Sequence, residues 1–295
     1  MMDTRAMMMG LAFVAMWASA FTSGKIAVAY APPFLILAVR FFVSGLFGVG
    51  LAYLMGQRLR MTRAQWIATV VFGMCQNTLY LGLNFVAFQS IDASIAVIIA
   101  SALPISVALF SFLFLRERLP RLGLFGMVLG SVGVLVVMGD RLAAGADPFG
   151  VALCVVALLA LTVATMIVRS ATPSGNVLMV VGLQMLVGAV TLLPLSLLFE
   201  TWVVDWTWQL VAAFTYTTIF PGLVATVIWF FLVQRIGATR AATFHFLNPF
   251  LGVAIAAALL GEALNVTDLV GVGVIMVGIF AVQFAKSKPV PPASD

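Results

Sequence analysis

The chain has 295 residues, 63% of them hydrophobic and 8% charged, with a mean hydropathy of +1.18. A soluble domain carries about 25% charged and about 45–50% apolar residues, so a water-soluble globule is excluded, as are disordered, collagen-like and disulfide-built chains. The net charge of +5 and pI near 9.7 require no nucleic-acid partner, because membrane proteins collect Lys and Arg in their cytoplasmic loops. Cys75 and Cys154 each lie inside an apolar run and suggest neither a disulfide framework nor a zinc site.

A membrane helix needs about 20 apolar residues. Ten such runs follow one another near 7–28, 34–55, 65–87, 93–115, 122–139, 149–169, 176–199, 208–233, 240–260 and 267–285. The connections between them are short and leave no room for a soluble domain. Arg5, the Met7–Met16 run and Ala18-Ser19-Ala20 mimic a signal peptide with its cleavage site. The apolar run continues past Ala20, however, and the repeat described below needs this helix. Residues 287–295, with Pro289, Pro291 and Pro292, are expected to form a disordered cytoplasmic tail.

The charges orient the chain. With both termini on one side, that side receives Arg5, Arg58, Arg60, Arg63, Arg116, Arg118, Arg121, Arg169, Arg235, Arg240, Lys286 and Lys288, twelve of the fifteen basic residues. The opposite loops hold Arg141 with Asp92, Asp140, Asp147, Glu200, Asp205, Glu262 and Asp268. The positive-inside rule therefore predicts cytoplasmic N- and C-termini.

A shift of 145 residues aligns 85–138 on 230–283 without a gap, and fourteen of the 54 positions are identical, Pro104/Pro249, Glu117/Glu262, Gly126/Gly271 and Gly133/Gly278 among them. The unit is five helices used twice, 1–141 and 142–286. Because five is odd, the second copy runs through the bilayer in the opposite sense. Inverted repeats of this kind mark secondary transporters that alternate access around a midplane site.

The stretches Leu103-Pro104-Ile105, Leu115-Arg116-Glu117-Arg118-Leu119, Gly126 and Gly133, answered by Asn248-Pro249-Phe250, Leu260-Gly261-Glu262-Ala263-Leu264, Gly271 and Gly278, resemble the paired EamA-type units of the drug/metabolite transporter superfamily. Pro32-Pro33 and Arg40-Phe41 are similar to that family's second helix. The resemblance spans the chain and implies ten helices, a central cavity between the halves, and export of amino acids or other small metabolites, as in aromatic amino acid exporters.

Polar groups at bilayer depth are costly and so are functional candidates. Asn77, Tyr80 and Asn84, with Gln76 nearby, share one face of the third run, where they could line a cavity or simply bind helices together. In the ninth run His245, the single histidine, stands one turn from Asn248 and beside Phe244. It could contact substrate, carry a coupling proton or be a core residue, and no midplane Asp or Glu exists to complete a proton relay. Pro249 and its mate Pro104, which follows Ser101, are candidate hinges that free backbone carbonyls. Pro221, beyond Tyr216, is a third possible break. Trp17 is too deep for an interfacial belt and, with Thr165, joins the candidate cavity. Arg40, about 10 Å inside the second run, could attract a carboxylate, but it and Lys25 are expected to snorkel to the outer surface, and Glu117 and Glu262 to serve as caps or turn groups. Gly123, Gly126, Gly130, Gly133, Gly271, Gly273 and Gly278 read as packing seams.

No HExxH, GxSxG or paired midplane aspartates suggest a membrane enzyme, and Ser23-Gly24-Lys25-Ile26 lacks the flanks of a Walker motif. Neither rings of charge nor a backbone filter suggest a channel. The expectation is a secondary carrier of the bacterial inner membrane, acting as a monomer without metal or cofactor. Its partners are the lipid bilayer and a small-molecule substrate, with amino acids ahead of other metabolites, nucleosides or drugs.

Overall fold

A computed structural model describes residues 4–114, 120–171, 176–236 and 243–286. Arg116, Glu117, Arg118, Arg240 and the 287–295 tail lie outside the described residues. Among those described, all regular structure is helical: α1 (Thr4–Val28), α2 (Pro33–Leu54), α3 (Arg63–Ala87), α4 (Ala93–Phe114), α5 (Arg121–Ala143), α6 (Pro148–Ala171) and α7 (Val177–Phe199). Helix α8 runs from Trp208–Thr217 through Thr218–Val224 into Ala225–Ile236. A 3-10 turn, Thr243–Leu247, leads into α9 (Asn248–Leu260), and α10 is Val266–Lys286. Helices α1 to α8 are long and apolar enough to cross a membrane, while the two apolar segments after them, Asn248–Leu260 and Val266–Val282, are shorter.

The helix starts follow from local chemistry. Thr62 and Gln65 form a capping box on α3, and the Thr207 hydroxyl accepts the Leu210 N–H on α8. Pro33, Pro148 and Pro249 fall in first turns, where the missing N–H has no intrahelical partner to lose. Asp147 accepts the N–H groups of Phe149 and Gly150, each at 3.1 Å. The Ser90 hydroxyl and these amides hold its carboxyl below the ordinary value of 3.8. Gly261, at φ 69°, closes α9 in the left-handed conformation that glycine adopts without a steric penalty.

Three helices are interrupted. The middle of α3, Met74–Leu81, and the middle of α8, Thr218–Val224, wind as π-helix, and α4 breaks at Ala102 between Ala93–Ser101 and Leu103–Phe114. Under the 145-residue shift, 74–81 falls on 219–226 and Leu103 falls on Asn248, where α9 begins. Pro104 and Pro249 therefore both sit in the first turn of a helical piece, not in a helix interior as the uninterrupted apolar runs imply.

Two tight seams hold the bundle. On α2 and α7, a Cβ added to Gly182 would stand 2.7 Å from the Val49 nitrogen. On α5 and α10, a Cβ on Gly278 would stand 2.5 Å from the Gly130 nitrogen. These contacts are the close backbone approach that small residues permit. Gly273, expected in a seam, instead has nothing within 4 Å of its would-be Cβ and faces outward. The outer face is apolar: Phe42, Phe47, Leu135, Val190, Leu197 and Leu198 are exposed. A continuous belt of this kind suits lipid and not water.

Acidic groups knit the end of the bundle that carries the α1–α2 connection. Glu200, after α7, accepts the N–H groups of Phe34 (2.7 Å) and Leu35 (2.9 Å) and so caps α2. Glu262, after α9, does the same for Ala93 (2.8 Å) and Ser94 (3.0 Å) on α4. Asp268 receives a two-pronged contact from Arg141, from Nη2 at 2.6 Å and Nε at 3.0 Å. Lys25 does not snorkel: its Nζ donates to the carbonyls of Phe88 (2.6 Å) and Ile91 (2.8 Å), closing the end of α3.

Candidate functional site

A cavity of about 240 Å³ lies among α1, α2, α3, α6, α7 and α8, reaching Leu103 of α4 and the His245 turn. The irregular segments build it. Three of its polar side chains, Gln76, Asn77 and Tyr80, come from the π segment of α3, and Pro221 and Gly222 come from that of α8. A π turn leaves carbonyls without their usual donors, and side chains are placed to meet them. Asn84 Nδ2, for example, donates to the Tyr80 carbonyl at 2.7 Å.

Of the residues the sequence singled out, Trp17, Asn77, Tyr80, Asn84, Thr165 and His245 all line this cavity. Asn77 Nδ2 donates to the backbone carbonyl and the Oε1 of Gln184 on α7, and the hydroxyls of Thr78 and Thr191 pair beside it. The α3 face thus both lines the cavity and binds α3 to α7. Asn84 Oδ1 accepts the Cys154 thiol at 3.4 Å.

His245 sits against the rings of Phe13, Trp17 and Trp229, with centroids 5.3, 6.3 and 5.1 Å away and all three contacts edge-on. Asn248 Nδ2 lies 2.9 Å from Nδ1. With the amide donating, the ring proton is placed on Nε2.

The other candidates stand elsewhere. Ser101 is buried, and its hydroxyl donates to the Val97 carbonyl at 2.6 Å. Tyr216 pairs its hydroxyl with that of Ser19 at 2.6 Å and stacks on Phe220. Phe244 is buried with Ala6 and Leu232 and covers Gly10, where a Cβ would fall 2.3 Å from its ring. Asn248 acts on the cavity through His245. Pro104 and Pro249 flank the site without lining it.

The sequence reading missed Gln184 and misplaced Arg40. Arg40 does not snorkel outward: it is 6% exposed and lines the cavity, its guanidinium 5.3 Å from the Phe41 ring centre. Gln184 carries a signal that was available, since a lone amide in the apolar run of α7 is costly without a purpose. Phe13 and Phe21 likewise flank Trp17 at helical spacing on α1.

Helices with apolar outer faces, packed around a mostly apolar cavity with few polar groups, define a multi-pass membrane transporter. The EamA-like transporter family model matches the chain twice, over residues 4–139 and 148–284. The chain belongs to the EamA-like transporter family. "Uncharacterized transporter YvbV" of Bacillus subtilis (strain 168) is 26% identical over 97% of this chain and 93% of its own length. "WAT1-related protein At3g02690, chloroplastic" of Arabidopsis thaliana is 24% identical over 92% of this chain and 67% of its own length. "Uncharacterized inner membrane transporter YedA" of Escherichia coli (strain K12) is 24% identical over 93% of this chain and 90% of its own. A solved crystal structure shares the fold with a TM-score of 0.69 at 20% identity, covering 96% of this chain and 97% of the other.

Proposed function

We propose that the chain is a secondary carrier that exports small amphipathic metabolites, amino acids with aromatic or other hydrophobic side chains first among them, by alternating access around this cavity. The observation that carries the reading is the size and lining of the cavity. At about 240 Å³ it falls just below the ~300–1,000 Å³ of drug-sized sites, so it suits one small metabolite. Rings from Phe13, Trp17, Phe21 and Trp229 surround amides and a single imidazole, a lining for an apolar body with a compact polar head.

In this reading the ten helices are two inverted five-helix repeats, 1–141 and 142–286. The double match to the family model and the registered interruptions of α3/α8 and α4/α9 support that division. Discontinuous segments at matching positions of two halves are where such carriers place their substrate. Pro104 and Pro249 then start the pieces that swing, and His245 touches substrate. Both termini lie in the cytoplasm on the distribution of basic residues, and the membrane is the bacterial inner membrane. Flux into liposomes carrying the purified protein tests the reading, with amino acids, nucleosides and lipophilic cations as competitors. The expected result is saturable, ATP-independent flux of L-phenylalanine or its apolar relatives. Preference for nucleosides or cations overturns the substrate class, and channel-like conductance overturns the carrier.

A further inference from the structure

Arg40 is a buried charge that the bundle itself does not use. It lies seven residues into α2, about 10 Å from the start of that helix. Among the described residues it has no hydrogen bond or ion pair, and its buried Nε lacks any partner. Among the described residues, no acidic side chain lines the cavity. One turn further along α2, Ser44 is 1% exposed and its hydroxyl is likewise without a partner.

These two orphans meet at one place. Arg40 Nη2 and Ser44 Oγ each lie 3.7 Å from the point where a Cβ on Gly222 would stand. Gly222 belongs to the π segment of α8 and lines the cavity with Arg40; a Cβ there would also stand 3.0 Å from the Thr217 carbonyl oxygen, so the missing side chain keeps the cavity open beside both donors. A buried guanidinium without a counter-charge is costly to keep. An anion delivered from the cavity relieves that cost and satisfies the fork with two oxygens.

We infer that Arg40, with Ser44 beside it and Gly222 leaving the room, is an anion subsite that receives the carboxylate of the substrate. The inference rests on the carrier reading and narrows it: the transported molecule carries an acid group. The ring cluster of Phe13, Trp17 and Trp229 takes the apolar body. Trp17 lies about 16 Å along α1 from the same connection and Phe13 about 22 Å, so the head sits nearer the α1–α2 end and the body deeper.

The test pairs flux with thermal protection, using wild type, Arg40→Gln and Gly222→Ala. The probes are L-phenylalanine, 3-phenylpropionate, which has the acid without the amine, and phenylalaninamide, which has the amine without the acid. Wild-type protein should be protected by both acids and not by the amide, and should carry L-phenylalanine. Arg40→Gln should raise the half-saturating concentration of both acids by about tenfold or more, as expected for a lost charge-assisted pair. It should melt no lower than wild type, because it removes an uncompensated buried charge. Gly222→Ala keeps the charge but fills the space, and should weaken both acids as well, which covers the case in which Arg40→Gln fails to fold. Phenylalanine flux with wild-type half-saturation in Arg40→Gln leaves the carrier standing and overturns the subsite. Acid protection that Arg40→Gln abolishes, in a protein that carries nothing, leaves the subsite standing and overturns the carrier. Failure of both acids to protect wild-type protein overturns the subsite outright.

Discussion

Replacing Asp268 with Asn probes how the α5–α10 seam is locked at its end. Asp268 is 0% exposed, takes both prongs of Arg141 at 2.6 and 3.0 Å, and accepts the Asn265 N–H at 2.9 Å. The Asn variant keeps an oxygen for that N–H but leaves a buried guanidinium facing a neutral amide. Breaking a buried pair from one side costs about 3–5 kcal/mol. Two neighbours pull the value toward the lower end. The Ala263 carbonyl stays 3.3 Å from Nη2, and the Asp92 carboxylate, its side chain 47% exposed, lies 3.7 Å from Nη1. The expected loss is therefore about 3 kcal/mol, measured as unfolding free energy in mixed detergent–dodecyl sulfate micelles by tryptophan fluorescence. The double variant Arg141→Met/Asp268→Leu removes both charges and should lose about half as much or less. A single-variant loss below about 1 kcal/mol, or a double variant as unstable as the single, refutes a locking role for the pair.

His245→Ala should cut substrate flux by about tenfold or more, a transition of roughly 1.4 kcal/mol, while size-exclusion profile and membrane insertion stay intact; wild-type flux removes His245 from the site. Gly278→Ala should cost about 1–3 kcal/mol, because its Cβ would meet the Gly130 backbone at 2.5 and 2.6 Å. Gly273→Ala on the same helix meets nothing within 4 Å, and in the same micelles it should be neutral or stabilising by up to about 1 kcal/mol. Equal losses for the two variants would refute the seam.

Hydropathy made the membrane helices legible, because burial in lipid demands long apolar runs whatever the packing. It gave depth along a helix but not the direction a side chain takes around it. Arg40 and Lys25 illustrate the limit: both lie in the first or last turns of a helix, and both turn inward, one to the cavity and the other to two carbonyls. Trp17, Asn77, Tyr80, Asn84 and His245 were legible as cavity residues because polar or ring-bearing groups at such depth need a protein or water neighbour. Ser101 and Tyr216 share that property but satisfy it inside the bundle, through Val97 and Ser19, and composition alone does not separate the two outcomes. Of the two π segments, that of α8 was signalled by Pro221, and that of α3 was not. A π segment bonds each amide to the carbonyl five residues back, a pattern no residue type announces, and Met74–Leu81 has no proline to mark it.

Glu200 and Glu262 also bear on how the chain is made. The Phe34 N–H waits for a carboxylate 166 residues downstream, and the Ala93 N–H for one 169 residues downstream. At about 5–20 residues per second each helix end stays bare for roughly ten to thirty seconds of synthesis. Through that interval α2 and α4 must rest with their starts in the hydrated headgroup layer, where water can serve their free N–H groups. The caps on α2 and α4 are therefore completed only after the chain has been made through α7 and α9.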